Sequence, residues 1–154
     1  MERCFTVKSV KAIFLLFLGV LLCMEVAADE RSVVLVAATT SPLQHIDSLE
    51  LRKIYLGFTV KRDDRTIKGL RNIVDKNINS IFLQNVVAMS EKSYKKRLLF
   101  LALRQGTPHP AEYDNIEDLL AALSANPYSV SYMWKEEAVS LSQVKILRLL
   151  WHQN

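Results

Sequence analysis

Residues 31 to 57 read RSVVLVAATTSPLQHIDSLELRKIYLG, and this stretch decides the fold class. Arg31 to Ala38 is a short β-branched run with few polar interruptions. Such a run suits a strand buried on both faces of a parallel sheet better than a half-exposed edge strand. Thr39, Thr40, Ser41 and Pro42 end it, and Asp47 to Gly57 then reads as a helix. Asp47 and Glu50 have capping-box spacing, Leu51, Ile54 and Tyr55 share one face, and Gly57 supplies a left-handed stop.

Downstream, FTVKRDDRT is polar around Asp63 and Asp64 and reads as a turn between short extended pieces. Ile67 to Ile73 (IKGLRNI) is the second main strand, although Gly69 lowers its propensity. The period then changes to helical. Asn77 is placed to cap a helix running to Ala88, and Ser90 to cap a second helix that ends at Gly106, with Tyr94, Leu98, Leu101 and Ala102 inward. Asp114, three residues before Glu117, opens a third helix with Ile116, Leu119, Leu120 and Leu123 on one stripe. Asn126-Pro127 stops it, and Tyr128 to Met133 and Val144 to Leu150 are the last strands. Strands separated by helices predict an α/β domain with a mostly parallel sheet flanked by helices, and ligands in such folds sit beyond the carboxyl ends of the strands.

Upstream of the opening stretch the chain reads as an export signal over residues 1–28. Arg3, Lys8 and Lys11 form a cationic start, and Ala12 to Met24 is uncharged but shorter than the ~20 residues a spanning helix needs. Val26 and Ala28 are the small side chains that signal peptidase reads, so cleavage is expected after Ala28 and the working domain over residues 29–154. The expected location is the periplasm, with no membrane span after cleavage. Both cysteines, Cys4 and Cys23, fall within the leader, so thiol catalysis and cysteine metal sites are excluded for the mature domain. The whole chain has 20 basic and 16 acidic residues; the leader takes three and two of these, leaving 17 against 14 and a net charge of +3. That mild excess favours an anionic small molecule or acidic partner weakly. Without a sustained basic stripe, nucleic acid is not expected.

The order LRKIYLG, IKGLRNI, a helix containing SIF, GTPHP, IEDLLAAL and NPYSVSYM resembles the small periplasmic proteins related to the phosphate-binding component of ABC transporters. The resemblance covers roughly residues 33–150 and rests on the helix end at 51–57 and the turn and strand at 126–132. It implies a single lobe of the binding-protein fold, a small anion such as phosphate as ligand, and a membrane transporter or sensor as protein partner. Full-length members close two lobes over a cleft and seat phosphate on a serine-glycine-threonine turn at a helix N-terminus, where backbone amides and the dipole favour an anion. Here that stretch is Asp75-Lys76-Asn77-Ile78-Asn79-Ser80, and two small positions of the final motif are Ser129 and Ser131. A ligand-free lobe serving as an adaptor or sensory interaction domain is therefore the alternative reading.

The candidate ligand-binding residues are Thr39, Thr40 and Ser41 after the first strand, Arg71 as a bidentate anion grip, and Asn77 with Ser80 at a helix N-terminus. Each also has an ordinary structural reading: a polar loop, an ion pair between Arg71 and Asp75, and helix capping. Lys92, Lys95, Lys96 and Arg97 make a basic helical face opposite Leu98 and Leu101, which reads as a solvated surface, the alternative being docking to an acidic partner or anionic lipid. No catalytic residue, metal ligand or cofactor is assigned. His45, His109 and His152 lie far apart, neither H-E-x-x-H nor G-x-S-x-G occurs, and Glu136-Glu137 are chain neighbours that do not face one another.

Overall fold

The computed structural model describes residues 31–153; the export signal and its cleavage point lie outside the described residues. The first strand, β1 (Ser32–Ala38), is buried along its entire length, as the β-branched run predicts. After it come α1 (Ser48–Tyr55), a small hairpin of β2 (Lys61–Arg62) and β3 (Arg65–Thr66), and β4 (Lys68–Asn72). Next are α2 (Lys76–Phe82), which runs into one π-helical turn at Leu83–Val87, and α3 (Glu91–Gln105). The chain continues through β5 (Ala111–Tyr113), α4 (Ile116–Ala125), β6 (Ser129–Trp134), α5 (Lys135–Ser140) and β7 (Val144–His152).

Five strands form one sheet in the order β5-β4-β6-β1-β7. Pairs β4–β5 and β4–β6 are parallel, whereas β1 runs antiparallel to both β6 and β7. Four strands therefore point one way and β1 alone points the other. The sheet is mixed and mostly parallel, and flanking helices make it a single α/β lobe. Burial of β1 on both faces follows from its central place, but its partners are antiparallel ones.

Local chemistry explains most element ends. Asp47 accepts the Glu50 amide at 2.8 Å while the Glu50 carboxylate accepts the Asp47 amide, completing the capping box. Gly57 closes α1 at φ +83°, where an added Cβ would lie 2.5 Å from the Pro108 carbonyl oxygen. Asp63 and Asp64 take left-handed conformations between β2 and β3, which short polar side chains tolerate. Two caps differ from the sequence expectation. Asp75, not Asn77, caps α2 by accepting the Asn77 amide at 2.7 Å. Asn115, not Asp114, caps α4 by accepting the Glu117 amide. In each case the polar residue with extended backbone immediately before the first turn takes the cap, Asp75 before Lys76 and Asn115 before Ile116.

Gly69 is required by packing. Its missing side chain leaves room for α1, since a Cβ there would meet Ile54 Cγ2 at 2.9 Å and the Tyr55 ring at 3.2 Å. Tyr55, Phe82 and Tyr132 fill the space between α1, α2 and β6. Phe82 stacks on Tyr132 with centroids 3.7 Å apart, and Tyr55 meets Phe82 edge-on at 4.5 Å.

Candidate functional site

Strands β4 and β6 share ladder register only at Lys68–Ser129 and Gly69–Val130. Beyond that point, side chains bind the backbone groups the ladder leaves. Ser131 Oγ donates to the Leu70 carbonyl at 2.9 Å, the Tyr55 hydroxyl lies between the carbonyls of Leu70 and Val130, and Asn72 Nδ2 donates to the Tyr132 carbonyl at 3.0 Å. Such compensation is necessary because an unpaired backbone group is costly in a dry interior. Ser131, at one of the small positions of the resemblance, is thus a structural hydrogen-bond donor.

At the carboxyl ends of β4 and β6 lies a crevice of about 540 Å³, lined by Arg31, Asn72, Val74, Asp75, Ile78, Trp134, Glu136 and Glu137. An α/β sheet presents ligands at this place. The crevice lining carries three carboxylates against the one Arg31 guanidinium, a balance that disfavours an anion. Asp75 Oδ1 holds the Asn77 amide, while Asp75 Oδ2 accepts from Trp134 Nε1 at 3.0 Å. Partial burial, and secondarily the Asp75 carboxylate, raise the Glu137 carboxyl above its ordinary range. Arg31 lies over the Trp134 ring at 5.7 Å.

Next to Asn72 on β4, Arg71 is fully buried. Its Nη1 pairs with Glu112, its Nη2 donates to Asn79 Oδ1 at 3.1 Å, and its guanidinium lies 4.8 Å from the Tyr94 ring centroid. Tyr132 also donates to Asn79 Oδ1, at 3.0 Å, and Tyr94 donates to the Tyr55 carbonyl. Among the described residues Arg71 Nε has no hydrogen-bond partner. Desolvation raises the hydroxyl pKa values of Tyr55, Tyr94 and Tyr132, so all three remain protonated donors.

The six sequence candidates do not converge. Because β1 is reversed, Ala38 pairs with Val144 and Ala37 with Val130, so Thr39, Thr40 and Ser41 lie beyond the amino ends of β6 and β7. Asn77 and Ser80 follow the carboxyl end of β4, at the opposite edge of the sheet, and both are exposed. Arg71 lies within the sheet, paired with Glu112 instead of the expected Asp75. In the first loop Thr39 Oγ1 donates to the Ser142 carbonyl, Ser41 Oγ accepts the Leu43 amide, and Lys145 Nζ donates to the Ser41 carbonyl at 2.6 Å. Asn79, Tyr94, Glu112 and Tyr132, which surround Arg71, come from four elements, so no sequence spacing announces them. Among the described residues no group of three or more His, Cys, Asp or Glu side chains is placed to hold a metal. No helix among them is long and apolar enough to cross a membrane.

The described residues thus form a single mixed α/β lobe with a crevice at the carboxyl ends of two parallel strands. Among solved structures, the fold matches PstS from Borrelia burgdorferi with a TM-score of 0.52 and 11% identity, over 77% of this chain and 47% of that one. An ABC-type phosphate transport receptor from Vibrio cholerae matches at a TM-score of 0.48 and 16% identity, over 77% of this chain and 46% of that one. The chain therefore spans about half the length of either protein, and what it shares with the first is the fold. No family model matches the sequence, and no curated protein matches it.

Proposed function

We propose that this protein is a non-catalytic recognition domain working outside the cytoplasm, a single binding-protein-like lobe that meets a protein partner and does not enclose an oxyanion. One observation carries the reading: Asp75 occupies the place where the resemblance would seat phosphate. Its carboxylate already takes the Asn77 amide and the Trp134 indole, and Glu136 and Glu137 line the same crevice. A phosphate brought there would meet carboxylates where it needs free amides. Arg31 is the one cation of the lining against three carboxylates, and the buried Arg71 is held by Glu112 and Asn79. The export signal read over residues 1–28 and the shared fold with PstS support a location in the periplasm.

A second reading, capture of phosphate or a related small anion, draws support from that shared fold and from one local feature. Thr39 and Thr40 are exposed, and the Lys145 ammonium reaches the same loop. Titration calorimetry of the exported protein with phosphate, sulfate and small carboxylates separates the two. No heat at millimolar ligand, together with recovery of one stoichiometric periplasmic partner in a pull-down, is expected. Heat that disappears in Thr39→Ala/Thr40→Ala would replace the first reading with the second.

A further inference from the structure

Helix α3 has fifteen residues, about 22 Å of helix, yet only Tyr94, Leu98 and Leu101 are buried. Its outward side is not the uniformly polar surface that a solvated helix presents. Leu99, Phe100 and Leu103 are 55%, 43% and 79% exposed, and Leu103 neighbours both of the others, four residues after Leu99 and three after Phe100. Basic side chains surround them. Lys92 and Lys96 precede them on the same face, and Arg97 and Arg104 lie over the Phe100 ring at 5.6 and 5.0 Å. The single acid of the helix, Glu91, is paired with Lys95 at 2.9 Å, and among the described residues Lys92, Lys96, Arg97 and Arg104 form no ion pair.

We propose that the outward face of α3 is a docking surface for an anionic lipid bilayer, with Leu99, Phe100 and Leu103 entering the headgroup–acyl boundary and the basic residues around them meeting lipid phosphates. Apolar side chains ringed by lysine and arginine are the composition of a helix lying in a membrane interface. Arginine and lysine stems can cover apolar surface while their heads stay at the polar boundary, and the Arg97 and Arg104 guanidinium groups already lie beside the Phe100 ring. Charge complementarity selects an anionic lipid surface over a neutral one. The crevice and the Thr39–Ser41 loop take no part in this contact, so it stands apart from the function proposed above.

Flotation of the exported, leader-cleaved protein with vesicles of phosphatidylcholine alone, and of equal parts phosphatidylcholine and phosphatidylglycerol, tests the proposal. Binding is expected to the second vesicles only, and to weaken with added salt. Lys92→Glu/Lys96→Glu should lower the partition coefficient by more than about tenfold, and Leu99→Ser/Leu103→Ser should lower it comparably. Both pairs are exposed, and an unchanged circular dichroism spectrum and melting curve establish that each variant is folded. Equal binding to both vesicle types, no binding to either, or anionic-vesicle binding that both variants retain would overturn the proposal. Absence of vesicle binding with salt-sensitive capture by an acidic protein surface would overturn it in favour of a protein contact.

Discussion

The exposed Glu112 should matter more to stability than the fully buried Arg71 with which it pairs. Glu112 sits on the three-residue edge strand β5 with its side chain 44% exposed, a position where substitutions ordinarily change little. Removing it by Glu112→Ala leaves the guanidinium in the interior with Asn79 Oδ1 and the Tyr94 face, and with Nε still unpaired. Breaking a fully buried pair in this way costs about 3–5 kcal/mol. Water reaching Glu112's open side reduces this to about 2–3 kcal/mol. Arg71→Met acts differently, because it removes the charge together with its desolvation cost and fills similar space. Loss of the Asn79 bond and the ring contact, about 2–4 kcal/mol, is then largely offset by relief of the buried charge and of Nε. A net loss near 1 kcal/mol is expected, and Arg71→Met/Glu112→Ala should match Arg71→Met within about 0.5 kcal/mol. Urea unfolding followed by tryptophan fluorescence gives all four values, provided the slopes agree. A Glu112→Ala variant within about 0.5 kcal/mol of wild type, or one less damaging than Arg71→Met, would refute the reasoning.

The remaining expectations test local geometry. Asn115→Ala should lower stability by about 1 kcal/mol in urea unfolding, while Asp114→Ala leaves it unchanged, since Asn115 alone holds the Glu117 amide. Gly57→Ala combines positive φ with a contact 2.5 Å from the Pro108 carbonyl oxygen, whereas Gly106→Ala has positive φ and open space. Thermal melting should show the first costing more than about 2 kcal/mol and the second about 1 kcal/mol. Glu137 binds its proton more tightly when folded than unfolded, so its ionised form opposes folding above its raised value, and stability recovers as pH falls through that value. Glu137→Gln should therefore be more stable than wild type at neutral pH, the advantage disappearing in acid below the ordinary carboxylate range. Melting curves across that range check it.

Much of the scaffold was legible because its signals are local. The capping box at Asp47–Glu50, the caps at Ser90 and Gly106, and the turn at Asp63–Asp64 each depend on a few adjacent residues. Strand β5 and helix α5 were not foreseen: three and six residues are too short for either period to declare itself. Arg71 illustrates a different limit. Within KGLRN it resembles any polar residue of an alternating strand, and its burial follows only when α2, α3 and β5 bring Asn79, Tyr94 and Glu112 around it.

The direction of β1 is the feature that most changes the functional argument, and nothing within SVVLVAA encodes it. Burial on both faces requires neighbours on each side but is indifferent to which way they run. Reversal moves the loop after β1 to the sheet edge opposite α2, so hydroxyls and helix amides that appear to belong to one anion site in a parallel arrangement occupy two surfaces. One small ion can then use only one set. On the α2 side Asp75 stands in its way, and on the other side only Thr39, Thr40 and the Lys145 ammonium are at hand. Phosphate binding, if measured, must therefore survive Asn77→Ala and Ser80→Ala and be lost with the two threonines. The reverse dependence would mean that Asp75 gives up its cap and its tryptophan when ligand arrives.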